Sequence, residues 1–307
     1  MSGWKSSLAT VLKEHNSIKA TDGTKASFET MEKRSAVLFS SFTDLRMLGY
    51  KLDDVQQLKG RHIEALTKHW LSKNLAASTL QNNLSTLRTF SAWIGKEGMV
   101  EGSAKYFQNG EAARSSINTI DKSWSANGVS LEAKLVEIRL IDERVALQIE
   151  LQATFGLRVK ESIMLRPHLA DKGTYLAISI GTKGGRDRTV PIDSEKKREL
   201  LDRAKIFAGR PTASTAAPEL SLKQALGHYS RALRNAGITK ATAGVTSHGL
   251  RHNYANDRYQ HYAHADSPVR GGSFAQINRE LDRAARLEVS EELGHSRESV
   301  STYYLGR

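Results

Sequence analysis

Apolar residues recur at the spacing of an α-helix through the first hundred residues of the chain. The segment from Ser27 to Gly49 shows this clearly, because it opens with a good helix-capping residue and closes with a glycine that can end a helix. Its apolar positions are Met31, Val37, Leu38, Phe42, Leu45 and Leu48. Segments 61–74 and 78–98 show the same periodicity. The first hundred residues are therefore predicted to be helical.

Between residues 99 and 128 the helical pattern gives way to a stretch rich in Gly, Ser and Asn. We interpret residues 99–128 as a linker between a helical domain, residues 1–98, and a second domain, residues 129–307. The second domain opens with a helical pattern that runs to Gly156. It continues with three further helical segments, residues 194–209, 220–237 and 247–264.

One segment of the second domain has the pattern of β-strands. Residues Tyr175–Ile180 and Thr189–Ile192 are rich in apolar and β-branched side chains and flank a Gly-Gly turn. They predict a β-hairpin. The fold class is therefore predicted to be mainly α with a small β-hairpin, an α+β chain in which a helical domain precedes a mixed one.

The composition narrows the class of protein. The chain has 307 residues, enough for two domains with separate cores, and it has no cysteine, which excludes disulfides and cysteine-ligated metal sites. It has no run of 18 apolar residues and no apolar signal segment at its start, so we expect neither a membrane span nor export. A cytoplasmic location is expected.

The charge indicates the kind of partner. Lys and Arg number 45 against 33 acidic residues, a formal net charge of +12. Residues 1–98 hold 14 basic and 9 acidic residues, and the rest of the chain holds the remaining 31 and 24, so the excess is +5 and +7. An excess in both domains favours nucleic acid as the partner, with a merely solvated basic surface as the alternative. The polar faces of the N-terminal helices, rich in Asn, Gln, Ser, Thr, Lys and Arg, suit phosphate contacts.

Four separated segments of the second domain carry the candidate chemistry. The first arginine follows a helix-ending glycine in "TFGLRVKES", and the lysine lies in the hairpin turn "GTKGG". In "HGLRH" a histidine and an arginine are three residues apart and so share one face of a helix. A last histidine, in "LGH", precedes a pair of tyrosines. The candidate catalytic residues are Arg158, Lys183, His248, Arg251, His295 and Tyr304.

These side chains suit phosphoryl transfer without a metal ion. The planar guanidinium groups of Arg158 and Arg251 can bind the non-bridging oxygens of a phosphodiester. Lys183, on a hairpin, can give a proton to the leaving sugar oxygen. A tyrosine, with a free pKa of about 10, becomes a nucleophile when cations stabilise its phenolate. Its attack keeps the bond energy in a phosphotyrosine, so neither nucleotide, metal nor other cofactor is expected.

In order and spacing these segments resemble the boxes of the tyrosine recombinases, the phage integrase family that includes the Xer, Cre and integron integrases. "GLRVKESIMLR" resembles the first arginine box, in which Glu161 would support Arg158, and "GTKGGRDRTVPI" resembles the lysine hairpin. "HGLRH" and "LGH" resemble the two histidine boxes. Tyr304 lies nine residues after His295, the family's spacing, which favours it over Tyr303 as nucleophile. The resemblance covers residue 140 onward, and the N-terminal domain resembles the family's core-binding domain by pattern only.

The resemblance implies a site-specific DNA recombinase. Such an enzyme cleaves and rejoins double-stranded DNA at core sites through a 3′-phosphotyrosine and a Holliday junction, as a homotetramer. An accessory directionality factor or a host DNA-bending factor is a further expected partner, and the expected location is the bacterial nucleoid. One alternative is a type IB topoisomerase-like enzyme that nicks and closes DNA alone. Another is a DNA-binding regulator with an inactive site, although all six candidate residues are present.

Other polar residues have a structural interpretation. His228 and His252 are interpreted as structural. His261, His264 and Asp266 have ligand-like spacing, but without a further partner they are interpreted as surface residues.

The spacing before the last histidine is unusual. Arg251 and His295 are 44 positions apart, more than is usual in the family, so residues 261–290 look inserted. The chain ends three residues after Tyr304, where many relatives continue into a helix that docks on a neighbouring subunit. We therefore expect the insert to supply that contact, with packing on its own domain as the alternative. Its predicted apolar stripe is Phe274, Ile277, Leu281, Ala284, Ala285 and Leu287.

Overall fold

The chain folds into two compact units, residues 1–115 and residues 116–307. This is a computed structural model, and it describes residues 3–19, 23–115, 117–182, 185–273, 277–295 and 297–307. Each unit has its own hydrophobic core. Among the described helices, none is long and apolar enough to cross a membrane.

The first unit is built from helices around one apolar core. They are α1 (Gly3–His15), α2 (Phe28–Met47), α3 (Gly60–Ser72), α4 (Ala77–Trp93) and the short α5 (Ser103–Tyr106). Ser27 caps α2 as its sequence predicts, because its side-chain oxygen accepts a hydrogen bond of 3.2 Å from the Thr30 N–H. Trp4, Phe42 and Leu66 come from three different helices and are all buried in the core. The helical prediction for this part of the chain is confirmed.

Helix α4 is shorter than the sequence pattern predicts. We expected a helix over residues 78–98, but α4 ends at Trp93. The chain turns there because Gly95 has a φ of +71°, a left-handed conformation that glycine adopts without steric cost. The next residue, Lys96, contacts the first unit again: its Nζ atom donates a hydrogen bond of 2.9 Å to the carbonyl of Leu58.

The segment predicted as a linker is divided between the two units. Val100, Phe107 and Ala112 are buried in the core of the first unit. Trp124, in contrast, is buried in a core of the second unit. Gly, Ser and Asn mark the turns of this segment, but the apolar side chains between those turns decide which core each part joins.

The second unit contains the remaining helices. They are α6 (Leu131–Ile141), α7 (Glu143–Phe155), α8 (Val159–Met164), α9 (Pro167–Ala170), α10 (Glu195–Ala208), α11 (Leu222–Asn235), α12 (His248–Ala263), α13 (Arg279–Glu292) and α14 (Thr302–Leu305). The pattern that we interpreted as one helical run up to Gly156 is two helices. Asp142 interrupts it in an extended conformation and caps α7, where its carboxylate accepts a hydrogen bond of 2.9 Å from the Val145 N–H.

The predicted hairpin is confirmed. Strand β1 (Tyr175–Ile178) pairs antiparallel with β2 (Arg188–Pro191), and Ile178 lies opposite Arg188. Ile178 and Val190 point into the core of the second unit. The second strand begins one residue earlier than expected, which makes Arg188 part of the sheet. With helices elsewhere, the predicted class, mainly α with a small hairpin, is confirmed.

Helix α12 is central to the second unit and packs against α7, α13 and α14. Tyr254 and Tyr259 on α12 are buried in the core. The end of α7 approaches α12 closely at Gly156, which has a φ of +59°. A Cβ atom at Gly156 would lie 2.5 Å from the ring of Tyr254, so only glycine fits there. This close approach positions the loop that carries Arg158.

Helix α13 lies in the segment that we interpreted as an insert, and it packs on its own domain. Ala285 and Val289 are buried against the core, and Ile277 packs there too. Of the predicted apolar stripe, Ala285 is buried while Leu281, Ala284 and Leu287 are exposed, so only part of the stripe packs on this domain. Phe274 lies outside the described residues. Contact of the exposed face with a neighbouring subunit stays a prediction.

Candidate active site

The ends of several elements of the second unit converge on one site. It lies where the loop after α7, the first turns of α12, the end of α13 and helix α14 meet. Five of the six candidate residues are brought together there: Arg158, His248, Arg251, His295 and Tyr304. The sixth, Lys183, lies outside the described residues.

Arg158 immediately precedes the first turn of α8. Its backbone N–H donates to Glu161 Oε2 at 2.7 Å, and its Nη1 donates to Oε1 at 2.6 Å. These two hydrogen bonds cap the start of α8. A third, from Nη2 to the carbonyl of Leu293 at 3.2 Å, fixes the orientation of the guanidinium group. The Arg158 side chain is 22% exposed, so it is accessible from solvent.

Glu161 has a second partner that its sequence motif does not reveal. Arg188, buried on β2, donates from Nη2 to Glu161 Oε2 at 2.6 Å and from Nη1 to the carbonyl of Glu292. Burial alone would raise the pKa of Glu161, but Arg188 and Arg158 hold it below its ordinary value. Successive side chains of a strand point to opposite faces. Arg188 lies two positions before the inward-facing Val190, so this alternation could have predicted that Arg188 also points inward.

Arg251 is buried on the first turn of α12. Its Nη1 and Nη2 atoms donate to the carbonyls of Gly156 and Leu293, and its Nε donates to the hydroxyl of Tyr304 at 3.1 Å. Burial lowers the pKa of Arg251 to about 10, and interaction with Tyr304 acts in the opposite direction. Arg251 therefore stays charged at neutral pH. Arg158 and Arg251 both donate to the carbonyl of Leu293, and this shared acceptor brings their guanidinium groups together.

The two tyrosines of α14 have different surroundings. Tyr304 is 4% exposed, whereas Tyr303 is 44% exposed. Neighbouring residues on a helix point ~100° apart, so the two rings cannot occupy the same place. The Tyr304 hydroxyl meets Arg251, and the Tyr304 ring centroid is 6.2 Å from that of His295. The geometry therefore favours Tyr304 at the arginine pair, and its role as nucleophile stays a prediction.

Three histidine rings surround Tyr304. Their centroids are 6.0 Å from the tyrosine ring for His248, 5.0 Å for His252 and 6.2 Å for His295. We interpreted His252 as structural from the sequence, but the centroid of its ring also lies 5.7 Å from that of Tyr303. The place of His252 next to Arg251 in the sequence does not reveal this contact. Only the packing of α14 decides which turn of α12 meets the tyrosines.

Two of the histidines of α12, His248 and His252, are held in the neutral form. Burial lowers the pKa of His248 to about 4, helped by the charges of Arg251, Arg158 and Lys122, although the residue is also exposed to solvent. Burial, followed by the neighbouring His248, lowers the pKa of His252 to about 3. Both ring nitrogens of His252 are buried without a hydrogen-bond partner in the part of the chain that the structure describes.

A buried acidic residue, also missed from the sequence, holds the end of α13. Glu292 receives hydrogen bonds from the hydroxyls of Tyr254 and Tyr262 and, at 2.7 Å, from Nη2 of Arg258. Burial alone would lower the pKa of Arg258, but Glu292 raises it above its ordinary value. The network fixes the residue before Leu293, whose carbonyl serves both arginines of the site.

The remaining polar candidates lie in other surroundings. His228 Nε2 pairs with Asp142 Oδ2 at 2.5 Å, consistent with its structural interpretation. Asp266 accepts a hydrogen bond of 3.1 Å from Gln260. Within the described ranges, no group of three or more His, Cys, Asp or Glu side chains is placed to hold a metal ion.

Comparison with known protein families gives two matches, both to phage integrases. The model described as "Phage integrase, N-terminal" matches residues 8–100, and the model described as "Integrase" matches residues 119–257. Together with the site geometry, these matches define the class: the chain belongs to the tyrosine recombinases of the phage integrase family. The resemblance stated from the sequence is confirmed.

Individual relatives agree with this assignment. The chain is 28% identical over 233 residues to "Tyrosine recombinase XerC" of Mycobacterium sp. (strain JLS), which covers 69% of this chain and 75% of the relative. The same-named protein of Mycobacterium sp. (strain KMS) is 28% identical over 203 residues, 61% of this chain and 66% of that protein.

Solved structures show the same fold. A lambda integrase dimer bound to a COC′ core site superposes with a TM-score of 0.60 at 17% identity and covers 97% of this chain and 76% of its own. XerH bound to a palindromic difH substrate has a TM-score of 0.56 at 18% identity, covering 98% and 80%. The Tn1549 transposon integrase bound to transposon right end DNA has a TM-score of 0.56 at 12% identity, covering 98% and 95%.

Proposed function

We propose that this chain is a site-specific DNA recombinase that cleaves and rejoins double-stranded DNA through a covalent 3′-phosphotyrosine. The observation that carries the proposal is the hydrogen bond between Arg251 and the Tyr304 hydroxyl, in a site that also holds Arg158 and two histidines. Membership of the tyrosine recombinase family supports the proposal independently.

The proposed cleavage step exchanges one phosphate ester for another. The Tyr304 hydroxyl loses its proton and its oxygen forms a bond to phosphorus, while the bond from phosphorus to the 5′ oxygen of the next nucleotide breaks. The leaving 5′ oxygen takes up a proton and becomes a free hydroxyl. Attack by the 5′ hydroxyl of a second strand reverses the step, releases the tyrosine and joins the strands. Because the ester bond is conserved throughout, no nucleotide cofactor is consumed.

Arg158 and Arg251 would stabilise the negative charge that builds on the phosphate, a task that metal ions perform in other phosphoryl-transfer enzymes. Both guanidinium groups are held in place before DNA arrives, because each donates to the carbonyl of Leu293. Arg158 is also held by Glu161, which Arg188 holds in turn. We infer that the Tyr304 hydroxyl leaves Nε of Arg251 when the phosphate binds. The arginine then serves the phosphate and not the phenol.

The remaining candidates would handle protons. Lys183, which lies between the two strands in sequence, is proposed as the acid for the leaving 5′ oxygen by resemblance to the family. His248 is neutral in the protein alone, with a pKa of about 4. A bound phosphate would oppose the charges of Arg251 and Arg158 that contribute to this low pKa, so His248 can gain a proton and donate a hydrogen bond during the reaction.

The proposed partners follow from the relatives. One lambda integrase structure is a dimer on a core site and another is a tetramer on a Holliday junction. We accordingly propose that this chain acts as a homotetramer on two core sites and passes through a Holliday junction. A directionality or DNA-bending factor would bias the outcome, and the site of action would be the DNA of the bacterial nucleoid.

The experiment that tests this function begins with a footprint on genomic DNA, which identifies a core site. A duplex of that site, nicked so that the short fragment with the released 5′ hydroxyl is lost, should trap a covalent protein–DNA adduct, and two intact sites should recombine. Adduct formation without recombination, together with relaxation of a supercoiled plasmid lacking the site, would support the topoisomerase alternative. Site binding without any adduct would support the inactive regulator.

A further inference from the structure

Part of the predicted linker is tied to the active site near both of its ends. Residues 117–128, which we call the strap, belong to the second unit. Near one end, the indole Nε1 of Trp124 donates to the carbonyl of Thr246 at 2.8 Å, and its backbone N–H donates to Asn253 Oδ1 at 2.7 Å. Near the other end, the Asn118 N–H donates to the carbonyl of Thr302 at 3.0 Å, at the start of the helix that carries the tyrosines.

Lys122 lies between these two anchors, and its backbone is closely fitted. Its carbonyl oxygen lies against Gly249 in the first turn of α12, where a Cβ atom would be only 2.7 Å away, so any side chain at position 249 would clash. The preceding residue, Asp121, receives a hydrogen bond of 3.3 Å from Nε of Arg270. The carboxylate closest to Lys122 in sequence is therefore already paired.

The ammonium group of Lys122 lies over the ring of Tyr303, beside the active site. Its Nζ atom is 5.5 Å from the centroid of the Tyr303 ring, and the residue is exposed to solvent. Its charge is among the causes that lower the pKa values of His248 and His252, which places it within electrostatic reach of both histidines. In the described part of the chain, no carboxylate lies within ion-pair distance of Lys122.

A cation held in place beside the active site, with no carboxylate partner in the described chain, suits an anionic ligand. We propose that Lys122 binds a phosphate of the DNA strand within one nucleotide of the cleavage point. This inference rests on the proposed function, which supplies the DNA, and it adds a third cation to Arg158 and Arg251. The simpler role is a cation–π contact that steadies Tyr303, which needs no DNA.

The test compares Lys122→Met with Lys122→Arg in the full-length chain, on the half-site duplex from the footprint. Lys240→Met, at an exposed lysine after α11, controls for the loss of one positive charge. Loss of a phosphate contact should make the slope of log affinity against log salt shallower by about 0.9. Lys122→Met should show this change and Lys122→Arg should not. Lys122→Gln serves as the second variant if Lys122→Met lowers the melting temperature.

Neutral methylphosphonates decide the question. One is placed, in three separate duplexes, at the cleaved phosphate and at the phosphate on either side. At the position that Lys122 contacts, wild type and Lys122→Met should bind with equal affinity, while Lys240→Met keeps the same ratio to wild type on every duplex. If Lys122→Met shows the same deficit on all three modified duplexes, Lys122 binds no phosphate there and the inference is wrong. Failure of the proposed function would appear separately, as absence of an adduct with the wild-type chain.

Discussion

The Nε atom of Arg251 donates a hydrogen bond of 3.1 Å to the hydroxyl of Tyr304, although the two residues are 53 positions apart. Both side chains are buried, and the other two nitrogens of Arg251 donate to backbone carbonyls at the end of α7 and the end of α13. One guanidinium group therefore connects three elements to the tyrosine. This connection places the phenol oxygen beside the charge that the proposed reaction requires.

The nucleophile is the first prediction. Tyr304→Phe should abolish the covalent adduct on the nicked duplex while leaving half-site affinity within about twofold, because only the attacking oxygen is removed. Tyr303→Phe is the matched control and should still form the adduct. The adduct is measured on denaturing gels. An adduct that persists in Tyr304→Phe and disappears in Tyr303→Phe would reverse the assignment.

The arginine pair is the second prediction. Replacing Arg158 or Arg251 by Lys keeps a positive charge but removes the planar fork, and the cleavage rate should fall by about 10²–10³, as it does when a single preorganised donor is lost elsewhere. The rate is measured in single-turnover cleavage of the nicked duplex. Because the arginines supply the charge, wild-type cleavage should continue in excess EDTA. Complete loss of activity with chelator would contradict this prediction.

The buried ion pair behind the arginines is the third prediction. Arg188→Met removes one of the two cations that hold the buried Glu161, and the free energy of unfolding should fall by about 3 kcal/mol, the lower end of the range for broken buried pairs, because Arg158 remains. The double variant Glu161→Gln, Arg188→Met should lose less than the sum of the two single losses. Urea titrations measure both. Additive losses would show that the two residues are not coupled.

The fourth prediction is that the neutral form of His252 makes stability depend on pH. Its pKa is about 3 in the folded protein against an ordinary 6.5. The unfolded chain therefore binds a proton more readily between these values, so the stabilisation is complete above about pH 6.5 and is lost as the pH falls toward 3. At about 1.4 kcal/mol per unit, wild type should lose about 2–3 kcal/mol between pH 7 and pH 4.5 that His252→Gln does not lose.

Urea titrations at several pH values measure this difference. The groups around His252 that titrate or carry charge, among them His248, Lys122, Asp121 and Arg251, are present in both proteins, so their shared contribution cancels in the difference. If the stability of wild type and His252→Gln changes in parallel with pH, the neutral histidine does not contribute in this way.

Much of the fold and of the candidate site could be predicted from local sequence patterns. The helices α2, α3 and α10, the hairpin and the boundary at Gly156 all follow from periodicity and from capping or turn residues within a few positions of each other. The histidine and arginine of "HGLRH" share a helix face by spacing alone. The polar interruption at Asp142 was missed, because a capping side chain inside a continuous apolar pattern gives a weak signal.

The sequence by itself determined the fold class, most of the helices, the hairpin, the family and the set of candidate residues for the chemistry, because those signals are local and depend on residue type and spacing. Only the tertiary structure decided which polar residues support them. Arg188, Glu292 and Lys122 reach the site through contacts that span 27, 34 and 181 positions, to Glu161, Arg258 and Tyr303. A buried charge is stable only beside its partner. No local pattern reveals a partner that is distant in the sequence and that folding brings close.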